Sequence, residues 1–137
     1  MANRNIEVPT QIINQIRQQA LAAAPRECCG LIEGRRGQGH FRVTALHPAR
    51  NLAKEADEFD IDPSDHIAAA KAARGRGNCI IGCYHSHPNG RSEPSARDLE
   101  GASQEDFLWL IATGDGLGAF VYSCGGFSAE DWTMSSE

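Results

Sequence analysis

Hydrophobic residues recur along the chain with two different periods, and these periods predict which segments are helices and which are strands. Near the start, Ile12, Ile13, Ile16 and Ala20 are spaced three or four positions apart. This spacing is typical of the buried face of an amphipathic helix and predicts a first helix over residues 9–23. A second helix is predicted over residues 62–74, because Asp62 and Pro63 suit its N-cap and its first position.

Short apolar and β-branched runs predict the strands. Residues 28–32 and 41–46 flank a glycine-rich turn at 34–39 and therefore predict a hairpin. Further strands are predicted at 58–61, 80–84, 107–112 and 117–122. A short helix is predicted at 95–102, and the polar C-terminal residues are expected to add at most one edge strand before fraying. This order of elements predicts a single-domain α/β (α+β) fold, a mixed sheet with helices packed against it.

Composition is that of an ordinary soluble protein of one domain. The chain has 137 residues, of which 41% are apolar and 23% charged. A net charge of −5 gives no basic footprint for nucleic acid, and no apolar run approaches the roughly 18 residues of a membrane span. The first residues lack the apolar core of a signal peptide, so we expect a cytoplasmic protein that binds neither nucleic acid nor membrane.

Several side-chain types have an ordinary structural interpretation. The five cysteines are odd in number and form no Cys-x-x-Cys, so a disulfide framework is not expected. Their positions in strand-like runs predict that three of them are buried as small hydrophobes, namely Cys79, Cys83 and Cys124. Residues interpreted as core are Phe107, Trp109 and Phe120. Residues interpreted as surface are His40, His47 and His66, and Arg35 and Arg36 are interpreted as solvated turn residues.

The segment from Tyr84 to Asp98 carries the most distinctive chemistry. His85 and His87 follow a predicted strand two residues apart, and such side chains project from one face. Ser95 and Asp98 lie three apart where the short helix begins, again on one face. Two histidines and a carboxylate suit a catalytic zinc, which keeps a fourth position open for water.

A catalytic zinc site also needs a base that takes a proton from water. The base must come from elsewhere in the chain, because no His-Glu-x-x-His arrangement is present. Glu27 is the candidate, since it directly precedes the strand predicted at 28–32 and a sheet can carry it beside the His85 strand.

Other interpretations of these residues stay open at this point. Ser95 and Asp98 also fit a helix capping box, and Asp98 bound to a metal would not cap freely. His85 and His87 also fit a solvent-facing pair on an edge strand. Two histidines and a carboxylate further describe non-haem iron sites, in which Ser95 and Glu27 would have no clear role. A zinc deaminase is excluded, because the chain lacks the required Pro-Cys-x-x-Cys pair.

The spacing of these residues resembles the signature of one known family. The segment 85–98 reads His-x-His-x7-Ser-x-x-Asp, which is similar to the signature of the JAMM (MPN+, Mov34/MPN/PAD-1) metalloproteases. That family places its glutamate upstream, before a Cys-Gly-Leu-type strand, and residues 26–31 look like that segment. Residues 59–63, Phe-Asp-Ile-Asp-Pro, are also similar to the family's text, and the resemblance extends over residues 7–122. The chain is thus identified as a small prokaryotic-type member.

The resemblance implies a fold and a set of roles. The fold would be the JAB1/MPN type, which is cytidine deaminase-like and has a curved sheet, as one JAB/MPN+ domain over 1–137 with its core at about 7–133. By resemblance, His85, His87 and Asp98 would bind one catalytic zinc ion. Glu27 would be the general base and later pass the proton to the leaving amine. Ser95 would help to stabilise the tetrahedral oxyanion.

The resemblance also implies a substrate class. Family members hydrolyse peptide or isopeptide bonds at the C-terminal Gly-Gly tail of ubiquitin-like proteins, and the small members resemble processing enzymes for sulfur carriers. A compact chain has little room for the insertions by which larger relatives bind a second ubiquitin. The alternative function is a non-catalytic MPN scaffold, which the intact set of ligand positions disfavours. The sequence predicts no particular oligomeric state.

Overall fold

The computed structural model describes residues 4–136 as three helices packed against an eight-stranded sheet. The strands are β1 (Asn5–Pro9), β2 (Cys29–Gly37), β3 (His40–Ala49), β4 (Cys79–Ser86), β5 (Phe107–Thr113), β6 (Gly116–Ser123), β7 (Gly126–Glu130) and β8 (Thr133–Ser135). The helices are α1 (Thr10–Ala23), α2 (Pro63–Gly75) and α3 (Ala96–Gly101). The predicted α+β fold class is confirmed.

The two longer helices form as their sequence signals predict. In α1 the isoleucine stripe is buried, while the intervening polar residues face solvent. In α2 the side chain of Asp62 caps the helix by accepting the amide N–H of Ser64, and Pro63 occupies the first turn. The helix ends at Gly75, at the predicted boundary.

The sheet is mixed, with the strand order β7-β6-β5-β4-β2-β3-β1-β8. The hairpin of β2 and β3 is antiparallel, β2 is also antiparallel to β4, and β4 is parallel to β5. In the register of β2 and β4, Cys29 lies opposite His85. Gly30 lies opposite Tyr84. A Cβ atom added to Gly30 would lie 2.5 Å from the tyrosine side chain, so a larger residue at position 30 would collide with it. The end of β4 is thereby placed beside the start of β2.

The sheet is so strongly curled that its two edges come close together. β7 and β8 occupy opposite edges, yet only residues 131 and 132 connect them. The indole N–H of Trp132 in this connection donates to the carbonyl of Leu117 at 2.9 Å. Across the gap, Arg4 lies 2.7 Å from Glu130 in an ion pair. The curl leaves one face of the sheet inside, against α1, and the other face toward α2.

The core has one layer on each face of the sheet, as the alternation of strand side chains requires. The layer next to α1 contains Ile16, Ile32 and Leu110, whereas Leu31 and Ile111 point to the opposite face. Also buried on that opposite face are the aromatic residues predicted to be core, Phe107, Trp109 and Phe120.

The structure differs from the predicted elements mainly at the ends of the chain. β1 was not predicted, although Ile6 and Val8 alternate and both are fully buried. The segment expected to fray instead forms β8, which pairs in parallel with β1. The strand predicted at 58–61 is reduced to one bridge between Asn51 and Ile61.

The prediction for the cysteines is correct for one residue and wrong for two. Cys83 is buried, whereas Cys79 and Cys124 are exposed. Cys79 is the first residue of β4, and Cys124 occupies the tight turn between β6 and β7 with a φ of 53°. All five thiols are free. Within residues 4–136, no helix combines the length and the apolar character that crossing a membrane requires.

Candidate active site

The end of β4 brings the two histidines together. His85 is fully buried and His87 is 4% exposed, and their Nε2 atoms are 3.0 Å apart. The backbone of His87 continues the ladder beyond the strand, because its amide donates to the carbonyl of Ala112 at 2.9 Å. The Nδ1 atom of His87 lies 2.8 Å from the carbonyl of Arg91, an arrangement that places the proton on Nδ1 and leaves the Nε2 lone pair facing His85.

Asp98 reaches the histidines from the first turn of α3. Its Oδ2 atom lies 3.1 Å from the Nε2 atoms of both His85 and His87. The same oxygen accepts the amide N–H of Ser95 at 2.8 Å, and the Ser95 hydroxyl accepts the amide of Asp98 at 3.0 Å. The capping box therefore exists, and it coexists with the cluster: capping holds the Asp98 carboxylate toward the histidines.

Glu27 lies two residues before β2 begins, directly before Cys28, and its side chain enters the site from there. Cys28 is clamped to β4, because its amide donates to the Ser86 hydroxyl at 2.8 Å and its carbonyl accepts the Ser86 amide at 3.2 Å. A carboxylate oxygen of Glu27 and the ligand nitrogens of His85 and His87 all lie within 4.8 Å of one another. Glu27 is buried, and its Oε1 atom has no hydrogen-bond partner among residues 4–136.

Burial and charge set the protonation of the two carboxyl groups in opposite directions. Burial raises the pKa of Glu27 to about 7, partly opposed by the charge of His87 and reinforced by that of Asp98. Burial also acts to raise the pKa of Asp98, but the imidazoles of His85 and His87 in contact with its carboxylate hold that pKa well below its usual range. Burial lowers the pKa of His85. These shifts favour an ionised Asp98 at neutral pH, whereas Glu27 can exchange a proton in that range.

The donor atoms fit a metal ion of zinc's size and preferences. The nitrogens of His85 and His87 and the Oδ2 atom of Asp98 form a triangle with edges of 3.0–3.1 Å. Tetrahedral bonds of about 2.0–2.1 Å give edges of about 3.3 Å, close to this triangle. Glu27 is near enough to be a ligand by distance, but Asp98 lies nearer, and the unpaired Glu27 oxygen is better placed to receive a proton.

Aromatic rings support the cluster from the side of α2. Phe59 is stacked on the His85 ring with centroids 4.2 Å apart, and Trp109 meets His85 edge-on at 5.7 Å. The Nδ1 atom of His85 has no partner among the described residues. Packing and the contact of Nε2 with Asp98 therefore fix the orientation of this ring, without a partner at Nδ1 among these residues.

A cleft of about 900 Å³ adjoins the cluster, and we refer to it as the active-site cleft. Asp98 lies in its wall, and its floor is apolar, including Leu31, Phe59 and Trp109. Charged residues line its rim, namely Lys54, Glu55, Glu58, Asp60, Arg97 and Glu100. The cleft can therefore receive a chain segment beside the cluster.

Comparison with known proteins places the chain in a family. Residues 9–125 match the family described as prokaryotic homologs of the JAB domain. The chain is 32% identical to the desampylase of Haloferax volcanii, over 89% of this chain and 81% of that protein. It is 33% identical to a probable TtuB-protein conjugate cleaving protease of Thermus thermophilus, over 83% of this chain and 74% of that protein.

A solved structure gives the same result for the fold. The solution structure of a protein from Desulfitobacterium hafniense superposes with a TM-score of 0.87 at 28% identity, and covers 96% of this chain and 94% of that one. The chain therefore belongs to the prokaryotic JAB-domain family, as a small JAMM/MPN+ member. The family resemblance predicted from residues 26–31 and 85–98 is confirmed, whereas the roles of the individual residues remain predictions.

Sequence reasoning missed two polar residues that the structure makes prominent. Asn51 donates hydrogen bonds to the backbone carbonyls of Glu27 and Glu58, but an asparagine in a polar loop carries no periodic signal. Glu33 is fully buried in β2 within an otherwise apolar pattern. It also corrects the surface interpretation of His47, whose ring lies 2.7 Å from the Glu33 carboxylate and is largely covered.

Proposed function

We propose that this protein is a zinc-dependent isopeptidase that cleaves the bond between the C-terminal tail of a ubiquitin-like or sulfur-carrier protein and an amine. The chain belongs to a family of hydrolases, and its relatives include a desampylase and a probable TtuB-protein conjugate cleaving protease. The observation that carries the proposal is the buried cluster of two histidines and two carboxylates at the wall of a cleft.

His85, His87 and Asp98 would hold the zinc ion. Imidazole nitrogens and a carboxylate oxygen are the donors of catalytic zinc sites, and three protein ligands leave one position open. When bound, zinc supplies a Lewis acid that lowers the pKa of water toward about 7 and polarises a carbonyl. The hydrogen bond from His87 to the Arg91 carbonyl supports this role, since it fixes which nitrogen faces the ion.

Glu27 would be the general base. Its unpaired Oε1 atom offers a site for the proton of the attacking water, and its pKa of about 7 suits both accepting and releasing a proton at neutral pH. The same carboxyl group would then give the proton to the departing amine. Because Glu27 is buried next to the histidines, the proton would be passed on within the site.

Ser95 would stabilise negative charge on the carbonyl oxygen of the substrate. Its Oγ atom already accepts the amide of Asp98, so the hydroxyl hydrogen is left for another acceptor. The capping geometry holds this hydroxyl in place before the substrate arrives, which is how a preorganised donor contributes to catalysis.

A Gly-Gly tail is the substrate end that suits this site. Glycines have no side chain, so their backbone can pass close to the buried cluster where larger residues would collide. The whole JAB/MPN+ domain would act as one catalytic unit. Five free thiols suit the reducing conditions of the cytoplasm, where we place the enzyme.

Cleavage of a defined conjugate tests the proposed function. A sulfur-carrier protein ending in Gly-Gly would be joined through that terminus to a lysine side chain and incubated with the protein. We expect cleavage after the second glycine, loss of activity with a chelator, and recovery with zinc. Metal analysis should find about one zinc per chain, which His85→Ala removes. Cleavage that persists after complete removal of metal, or zinc retained stoichiometrically by His85→Ala, would contradict the proposal.

A further inference from the structure

Residues 51–60, which we call the site loop, run from the end of β3 toward α2 beside the cluster. Asn51 organises this loop through four hydrogen bonds. Its Oδ1 atom accepts the amides of Ala53 and Asp60 at 2.9 and 3.0 Å. Its Nδ2 group donates to the carbonyls of Glu27 and Glu58, both at 3.0 Å. The side chain thus has two arms, one within the loop and one that also reaches Glu27.

Glu27 depends on its backbone for its position. One carboxylate oxygen of Glu27 has no partner among residues 4–136, so no side-chain hydrogen bond holds that oxygen in place. Ser86 fixes the residue that follows, Cys28, through both its amide and its hydroxyl. The carbonyl of Glu27 itself is held by Asn51. Loss of this bond would free the peptide next to the glutamate while leaving the ladder of β2 and β4 intact.

Further contacts connect the site loop to the surroundings of Glu27 at one end and of His85 at the other. Arg26, directly before Glu27, donates from its guanidinium to the carbonyls of Ala53 and Lys54. At the other end, Glu58 pairs with Arg97 of α3 at 2.5 Å. Asn51 binds the Glu58 carbonyl, and the next residue is Phe59, whose ring rests on His85. The loop therefore connects the backbone of Glu27 with the residue that packs on His85, and Asn51 makes a hydrogen bond at each of these two places.

We infer that Asn51 is a positioning residue, which sets the placement of Glu27 through its Nδ2 arm and orders the site loop through its Oδ1 arm. The inference rests on the proposed function, because it takes Glu27 as the base. Small displacements of a catalytic group cost up to about 100-fold in rate, so a loosened Glu27 should lower kcat while substrate binding stays nearly unchanged.

The two arms can be separated by substitution. Asn51→Ala removes both arms, whereas Asn51→Asp keeps an acceptor for Ala53 and Asp60 but loses the donor. Asn78→Ala is the matched control, because Asn78 is equally half-buried and hydrogen-bonded but serves Glu33 and Arg35, away from the cluster.

With the conjugate assay at saturating zinc, we expect kcat to fall at least about 10-fold in Asn51→Ala and Asn51→Asp, with KM within about 2-fold. Asn78→Ala should keep the wild-type kcat. Limited trypsin digestion reports on the loop separately. Cleavage after Lys54 should accelerate in Asn51→Ala and stay slow in Asn51→Asp and in Asn78→Ala.

Each outcome decides a different point. A wild-type kcat in Asn51→Ala, or in Asn51→Asp, would overturn the assignment of the Nδ2 arm. Equal trypsin sensitivity of Asn51→Ala and Asn78→Ala at Lys54 would overturn the assignment of the Oδ1 arm. If the wild-type protein cleaves no conjugate, the proposed function fails, and the positioning of Glu27 for catalysis fails with it. The digestion result still decides whether Asn51 orders the loop.

Discussion

Two buried glutamates, six residues apart, have opposite environments. Glu33 in β2 accepts hydrogen bonds from Arg76 at 2.6 and 3.0 Å and from Asn78 at 2.8 Å, and His47 lies 2.7 Å away. The hydrogen bonds from Arg76, with those of Asn78 and His47, outweigh burial and lower the pKa of Glu33 to about 2. Glu27 keeps an unpaired oxygen, and burial raises its pKa to about 7.

The difference separates a structural carboxylate from the one that we propose as the base. Both side chains are buried, so burial alone does not distinguish them. Glu33 has every acceptor position engaged, so its protonation would displace one of these donors and weaken the pairing with Arg76. Glu27 has an acceptor left over beside two histidines, which is an unfavourable arrangement unless a ligand or a transferred proton uses it. An unpaired oxygen, rather than burial, distinguishes the glutamate that we propose as the base.

The largest expected effect tests that distinction directly. Glu27→Gln should lower the cleavage rate by about 1,000-fold, because loss of a general base typically costs 100- to 10,000-fold. Zinc content and melting temperature should not fall, since the amide fills the same space. Glu33→Gln serves as the control and should keep kcat for the folded fraction. A Glu27→Gln enzyme that cleaves at the wild-type rate would show that the base is another group.

Ser95 extends the comparison from the unpaired acceptor oxygen of Glu27 to a hydroxyl hydrogen that is left for another acceptor. We expect Ser95→Ala to lower kcat by about 100-fold, with smaller changes in KM and in zinc affinity, as for loss of an oxyanion donor. Ser95→Thr keeps both the cap and the hydroxyl and should recover most of the activity. If Ser95→Ala instead loses zinc in proportion to activity, Ser95 acts only by capping α3 and orienting Asp98.

Glu33 should matter for stability where Glu27 does not. Glu33→Ala removes the acceptor for Arg76 and Asn78 and should lower the free energy of unfolding by about 2–3 kcal/mol. Because Arg76 is itself exposed, the cationic partner stays solvated and the loss stays in this range. Urea unfolding of metal-free protein measures it. A Glu33→Ala protein as stable as the wild type would mean that the network contributes nothing net.

The smallest expected effect is the pH dependence of the stability that Glu33 contributes. The pKa of Glu33 is lowered from 4.5 to about 2, so its stabilisation is fully present above pH 4.5 and is lost as the pH falls toward 2. The difference in urea midpoint between the wild type and Glu33→Gln should therefore narrow from pH 5.5 to pH 3. A difference that stays constant over that interval would show that the carboxylate is not held ionised by its partners.

Local signals in the sequence were enough to predict most of the fold. The isoleucine stripe of α1 and the Asp62 cap of α2 each predict a helix from residues that are close together in the sequence. β8 is different, because three residues with no apolar alternation become a strand only through pairing with β1. Cys79 and Cys124 are exposed because one begins a strand and the other lies in a turn. An apolar run in the sequence does not show at which residue the buried part of a strand begins or ends.

The residues of the site likewise divide into those that local sequence brings together and those that only the folded chain brings together. His85, His87, Ser95 and Asp98 are close in sequence, so the strand and helix periods bring them together without knowledge of the fold. Glu27 is distant from them in sequence, so spacing does not place it in the site, and the family resemblance supplies that link. The contacts of Asn51 depend on how β3, the approach to β2 and the site loop meet in space, and no periodic pattern carries that information.

The sharing of one Asp98 oxygen between the histidines and the backbone of Ser95 links metal binding to local folding. α3 has only six residues, too few to persist as an independent helix, and its first turn is closed by that oxygen. An ion bound by Asp98, as we propose, would therefore order the helix, and the helix would in turn prepare the ligand. Part of the affinity for the metal would then be the free energy of folding residues 95–101. Chelation should loosen this segment before any strand of the sheet responds.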